Sequence, residues 1–309
     1  MASTNLFNNK KYDLKYVMVL TVIPFLGIFG TIFYSLKFGI KWQEPILLLI
    51  FWIITGLSIT IGYHRLFAHR SFKSHPILDW MLVIIGAAAL ENSALKWCSD
   101  HRLHHRKLDT EYDPYSITQG FFYAHIGWII ENKPDNIEGV DDLKNNSILK
   151  FQYKYYWPIA IGLSFLLPFI IGFYYGRPFG GLLWGGFLRL TLVHHFTFFI
   201  NSLCHYAGTR PFESNISARD SWWVSYLTFG EGFHNFHHKF QWDYRNGIRW
   251  FHFDPSKWVI WCLSKIGLAK KLKKASHIQI IKAKTKNTWN QIQICLDNMP
   301  NQISNSYSN

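Results

Sequence analysis

Cysteine is scarce in this chain, and the little there is does not organise. Cys98, Cys204, Cys262 and Cys295 form no Cys-x-x-Cys pair and no framework spacing. That excludes a disulfide-stapled scaffold and a thiolate zinc site as the support of the fold. Ordinary small buried residues explain the four better than ligation does, and nothing in their use argues for an oxidising compartment. Charge is also sparse: 17% of residues are Asp, Glu, Lys or Arg, against 49% hydrophobic and 18% aromatic, where soluble domains carry roughly a quarter charged. The first nine residues hold no basic stretch leading into a short apolar core and a small-residue cleavage site, so no removable secretory signal is expected. Internal repeats and Gly/Ser-rich linkers are missing too, which predicts one domain over residues 1–309.

Long apolar runs are what the chain has instead. Four segments, about 16–36, 45–63, 158–175 and 180–200, are predicted to span a membrane as two hairpins joined by short polar turns. A fifth apolar stretch, Ile77 to Leu95, has an uninterrupted part of only eleven residues between Asp79 and Glu91. It is too short to cross and is expected to lie against the membrane face. Residues 64–157 and 205–290 then form a helical cap on one aqueous side, with a disordered tail at about 301–309. The formal charge is +13, of which residues 205–309 carry +8. With no nucleic-acid reader fold in view, that basic third fits a cytoplasmic face held against anionic lipid, or one meeting an acidic partner or head group. Lys265 to Lys286 is expected to form an amphipathic surface helix.

Histidine is the residue in excess. Eight of the fifteen fall in three short clusters: His64 and His69; His101, His104 and His105; His234, His237 and His238. In a helix, His101 shares a face with His104 and His105, as His234 does with His237 and His238, so several neutral nitrogens reach one metal. A structural zinc takes four ligands and a catalytic zinc three, so this many imidazoles point to two ions. Imidazole suits iron, copper and zinc alike, and ligand count does not choose among them. A site beside a bilayer favours a redox pair that activates dioxygen against an inert C–H bond of a lipid chain.

The segments Gly62-Tyr63-His64-Arg65-Leu66-Phe67-Ala68-His69-Arg70, Asp100-His101-Arg102-Leu103-His104-His105, Asn201-Ser202-Leu203-Cys204-His205, Arg210-Pro211-Phe212, Asn215-Ile216-Ser217 and Gly230-Glu231-Gly232-Phe233-His234-Asn235-Phe236-His237-His238 carry a resemblance. Taken in this order, from about Ile61 to Gly267, they resemble the integral-membrane fatty-acyl Δ9 desaturases of the stearoyl-CoA desaturase family. The resemblance implies an all-α integral membrane protein, with four transmembrane helices in two hairpins and a helical cytosolic cap carrying a His-box di-iron site. It implies two Fe ions held by His64, His69, His101, His104, His105, His205, His234, His237 and His238, with Asn201 reaching an iron through a water. O2 is then the co-substrate, and the reaction places a cis double bond, at Δ9, in a saturated C16 to C18 acyl chain. No His-Pro-Gly-Gly haem motif occurs, since Ser74-His75-Pro76-Ile77 is not one. Two electrons therefore come from a separate carrier, cytochrome b5 or a ferredoxin. The active site and both termini face the cytosol, in the endoplasmic reticulum of a eukaryote or the inner membrane of a bacterium.

Departures from the animal pattern concern the head group. Ser99 stands where that family has Arg, Glu131-Asn132-Lys133 where it has an Arg-Lys pair, and Phe198 where it has Trp, while Asn92 and Asp100 match positions that contact coenzyme A. Losing two cationic phosphate contacts leaves a CoA thioester, an acyl-lipid and a carrier-protein ester all open as substrates.

Other residues have plainer readings. His194 and His195, inside the fourth run, are assigned to structural hydrogen bonding; His75, His252 and His277 to the surface; the fourteen tryptophans mostly to interfacial anchoring. His125 lies in a segment similar to the family's but is not one of its ligands, and Arg65, Arg70, Arg102 and Arg106 are either supports of the site or solvated charges. Two rivals stand beside the desaturase reading: a His-box hydroxylase or alkane monooxygenase, and a non-catalytic membrane metal-binding protein. The second fits less well, because transporters place ligands between spans at mid-membrane and these clusters flank the spans.

Overall fold

The computed structural model describes residues 12–131 and 136–298; the tail expected at 301–309 lies outside them. Among the described residues, three helices are long and apolar enough to cross a membrane: α1 (Leu14–Phe38), α2 (Gln43–Ala68) and α6 (Tyr156–Tyr174). The Asp13 carboxylate caps α1 by accepting from the Lys15 N–H at 2.9 Å. Pro24 removes a backbone donor inside α1, and the helix widens into π-type turns at Leu26–Gly30 directly after it. α2 runs five residues beyond the predicted span. Its last stretch, Ser58–Ala68, is π-wound and wholly buried, so His64 sits inside the helix rather than past its end.

The apolar stretch after it forms only the 12-residue α3 (Pro76–Ala87), roughly 18 Å long and too short to cross. Leu90 and Asn92 then take φ of +55° and +77°, turning the chain into α4 (Ala94–Lys107), which Ser93 caps. α5 (Ser147–Lys154) precedes α6. Pro178–Gly181, Leu182–Leu188 and Arg189–Tyr206 follow one another as a long helix, α7. α7 falls short of the other three in apolarity because Arg189, His194 and His195 lie within it. Arg189 donates to the Ala88 carbonyl at 2.5 Å and His194 Nε2 lies 2.8 Å from the Ala89 carbonyl, while Arg189 Nη2 finds no hydrogen-bond partner among the described residues.

α6 and α7 form the second hairpin. A Cβ on Gly181 would come within 2.7 Å of Gly172 Cα, so their backbones cross where only small residues fit. The turns of the two hairpins bind each other. Arg177 donates to the carbonyls of Phe38 and Gly39 at 2.9 and 2.6 Å and lies 3.3 Å from the buried Glu44 carboxylate, while Lys41 Nζ donates to the Tyr175 carbonyl. Both turns thus share one end of the bundle.

At the other end lies α8 (His234–Lys239), with α9 (Pro255–Lys265) and α10 (His277–Asp297) behind it. The only regular strands among the described residues are two-residue pieces, β1 (Lys73–Ser74) and β2 (Ala269–Lys270), paired antiparallel. The basic run Lys270 to Lys274 is therefore not helical as expected: it is strand and extended chain, pinned by the Lys273 N–H to the Ser71 carbonyl at 2.9 Å. The amphipathic helix begins later, at His277 behind a Ser276 capping box. Cys98 and Cys204 are buried as expected, whereas Cys262 and Cys295 are exposed on the outer faces of α9 and α10. His75 and His277 are exposed, but His252 is half-buried, stacked on the Phe233 ring.

Candidate metal centre

The nine clustered and motif histidines converge at the end of the bundle opposite the hairpin turns. They divide into two groups: His64, His69, His101, His105 and His237 form one, and His104, His205, His234 and His238 the other. Within each group the ligand nitrogens all lie within 4.8 Å of one another. Adjacent Nε2 atoms are closer: 3.0 Å for His64 and His237, 2.8 Å for His69 and His101, 3.0 Å for His205 and His234, and 3.0 Å for His234 and His238. Two imidazole nitrogens bound side by side on one ion at about 2.1 Å stand roughly 3 Å apart.

The partners of the other ring nitrogens strengthen that fit. His64 Nδ1 lies 2.9 Å from Glu231 Oε2 and His104 Nδ1 2.8 Å from Asp113 Oδ1. His205 Nδ1 is 2.6 Å from the Ser217 hydroxyl and His101 Nδ1 3.3 Å from the Tyr115 hydroxyl. A carboxylate can only accept, so the proton of His104 sits on Nδ1 and its Nε2 lone pair is turned inward, and the Glu231 carboxylate beside His64 Nδ1 favours the same tautomer there. Burial, reinforced by the neighbouring imidazoles, holds His69, His101, His105, His234, His237 and His238 well below the ordinary histidine range. Neutral, inward-facing lone pairs packed at 3 Å repel one another unless a cation lies between them.

The supports of these ligands are themselves held. Glu231 accepts from Arg65 at 2.9 Å and from Asn246 Nδ2 at 2.6 Å, and Arg65 also reaches Asp254 at 2.9 Å. Burial opposes a charge on Glu231, but His64 and Arg65 outweigh it and bring the carboxyl down to about 2. Asp109 receives the Ser217 N–H at 2.8 Å and the Ser217 hydroxyl. Asp220 receives the N–H groups of Asn235 and Phe236 at the start of α8. Of the four arginines, Arg65 and Arg102 are buried supports, Arg102 gripping the carbonyls of Phe67 and Ala68 and the Asp142 carboxylate. Arg70 and Arg106 are exposed.

A cavity of about 1150 Å³ reaches the histidines, with His64, His101, His104, His234 and Asn201 in its wall. Trp52, Ile59, Val193 and Phe196 give it an apolar body, and Asn92, Asp100 and Phe198 also line it. Asp100 accepts from Lys96 at 2.8 Å, and the Asn92 N–H donates to the Tyr156 hydroxyl. His125 and His195 stay apart from both groups, their Nε2 and Nδ1 atoms 3.1 Å from each other.

Sequence reasoning had no role for Tyr115, Ser217, Asn246 or Asp254, although Asp113 and Glu231 stood beside two of the clusters. A polar residue flanking a histidine motif is the available signal for the last two. Nothing local marks Asn246 or Asp254, which reach Glu231 and Arg65 only through the fold.

The fatty acid desaturase profile matches residues 42–261. Acyl-CoA desaturase 1 of Saccharomyces cerevisiae is 40% identical over 237 residues, covering 75% of this chain and 46% of the relative. A probable acyl-CoA desaturase of Schizosaccharomyces pombe is 41% identical over 259 residues, 82% of this chain and 53% of the relative. The sn-1 stearoyl-lipid 9-desaturase of Anabaena variabilis is 35% identical over 260 residues, 82% of this chain and 93% of the relative. The chain thus spans about half the length of the two former relatives and nearly all of the third.

Proposed function

The chain belongs to the fatty acid desaturase family, and on that premise we propose that it is an O2-dependent fatty-acyl desaturase inserting a cis double bond at Δ9. The reading rests above all on two imidazole groups, five and four strong, beside one apolar cavity. Each group would hold one iron ion, and the pair, when bound, would supply the reduction of dioxygen that takes two hydrogens from adjacent methylenes. Asn201, in the cavity wall, would reach an iron through a water. Every remaining task falls to the chain. Glu231, Asp113 and Ser217 set the tautomer and tilt of the imidazoles they touch, and Tyr115 the tilt of His101. Trp52, Ile59, Val193 and Phe196 hold the acyl chain in line and keep bulk water from the reacting methylenes.

The substrate is a saturated C16 to C18 acyl chain, carried as a CoA thioester or in a lipid, with Asn92, Asp100 and Phe198 at its carboxyl end. Two electrons arrive from a separate carrier, cytochrome b5 or a ferredoxin. The basic C-terminal third suits an acidic partner, with docking that weakens as salt rises. Four spans, α1, α2, α6 and α7, cross the membrane as two hairpins, and the site and both termini face the cytosol. The mutual binding of the two hairpin turns at the far end supports this arrangement.

The test is a lipid extract from a desaturase-deficient host expressing the chain, with double-bond position read by mass spectrometry and metal counted in the purified protein. A Δ9 cis-alkene and two irons per chain are expected. Hydroxy-acid in place of alkene would transfer the assignment to the hydroxylase reading, and one ion per chain would refute the paired site.

A further inference from the structure

One side of the cavity differs from the rest. Met18 and Val22 of α1 and Trp157 and Ile161 of α6 line it, yet they are 64%, 47%, 43% and 50% exposed. The same side chains therefore border both the cavity and the outer, apolar surface of the bundle. The packing agrees. α1 finds its main partners in 128–130 and in α7, where a Cβ on Gly27 would meet Thr191 and the Phe187 carbonyl, rather than in α6. At the top of the gap a cation–π contact bridges the two helices, with Lys15 Nζ 4.2 Å from the Trp157 ring centroid.

We propose that the crevice between α1 and α6 is a lateral portal, through which the acyl chain of a membrane glycerolipid passes from the leaflet into the cavity while its head group stays at the surface. This rests on the desaturase reading and deepens it by naming the substrate class. The rim chemistry points the same way. Among the described residues there, Asp13, Asp100 and Glu138 offset Lys15, Lys96 and Arg106, so no cationic cluster forms to collect a polyphosphate. Ser99, where a cation was missing from the sequence, has its hydroxyl committed: it accepts the Glu138 N–H at 2.8 Å and donates to the Glu138 carbonyl at 2.9 Å. A zwitterionic or neutral lipid head group suits such a rim, and a lipid already in the bilayer needs a side entrance rather than an aqueous mouth.

The experiment uses photo-crosslinking in vesicles, which needs no turnover. The full chain is reconstituted with phosphatidylcholine whose stearoyl chain carries a mid-chain diazirine, and, in parallel, with stearoyl-CoA carrying the same group. The phospholipid probe is expected to label the cavity residues Trp52 and Ile59. Val22→Trp together with Ile161→Trp is expected to cut that labelling at least tenfold, while labelling of the outward-facing Phe33 and Leu36 persists as a control for folding and reconstitution. Lys15→Ala removes the bridge and should speed cavity labelling roughly two- to fivefold, the factor an exposed cation–π contact contributes. Cavity labelling unchanged by the paired tryptophans overturns the portal. Cavity labelling by stearoyl-CoA but not by phosphatidylcholine also overturns it and leaves the desaturase reading standing. Labelling by neither probe refutes both.

Discussion

The five-histidine and four-histidine groups read the same local motif in opposite senses. α4 and α8 each present His-x-x-His-His, and in each the first and last imidazoles, one helical turn apart, enter one group while the middle one enters the other. From α4, His101 and His105 join the larger group and His104 the smaller; from α8, His234 and His238 join the smaller and His237 the larger. Two helices with the same face chemistry, set against each other, thus build two sites that share walls. Their supports differ. The larger group leans on Glu231 within a buried network of Arg65, Asn246 and Asp254, the smaller on Asp113 and on a hydroxyl, Ser217, backed by Asp109. The size of each group follows from how the two helices cross, and the two groups differ in the polar partners that stand behind their rings.

The largest effect should come from removing a ligand. His104→Ala and His238→Ala both strike the four-histidine group, and each is expected to abolish desaturation and to lower bound iron toward one per chain by elemental analysis. Full iron with near-normal turnover in either variant would dissolve the division into two groups. Next comes Glu231→Gln, which leaves His64 without an anionic partner and Arg65 short of one. Iron affinity, read by chelator competition, should fall about 10- to 100-fold, the usual cost of losing such a support. Ser217→Ala should cost less than Glu231→Gln in the same assay, because the group lost is a neutral hydroxyl. A larger loss for Ser217→Ala would reverse the assigned contrast between the supports. His277→Ala, exposed at the start of α10, should leave iron content and turnover at wild-type levels, and a loss there would mean that the metal centre extends beyond the nine imidazoles.

Much of this was legible before any coordinates. The apolar lengths of α1, α2 and α6, the inability of α3 to cross, and helical His101 to His105 all follow from residue type and spacing. α7 read more simply in sequence than in space: Arg189 and His194 interrupt its apolar run, and only the carbonyls of Ala88 and Ala89 at the bend after α3 explain how they are accommodated. Lys270 to Lys274 is extended rather than helical because pairing with β1 and the Lys273 N–H bond to the Ser71 carbonyl override the helical preference of lysine.

The sequence by itself determined which histidines stand as candidate metal ligands, the three clusters by their spacing and His205 by the resemblance of its motif, since residue type and helical periodicity are local properties. Tertiary structure alone decided how the imidazoles divide into two groups, which buried carboxylates stand behind them, and where the cavity meets the outer surface. Each of those is a distance between groups far apart along the chain, and no spacing rule encodes how two helices will cross.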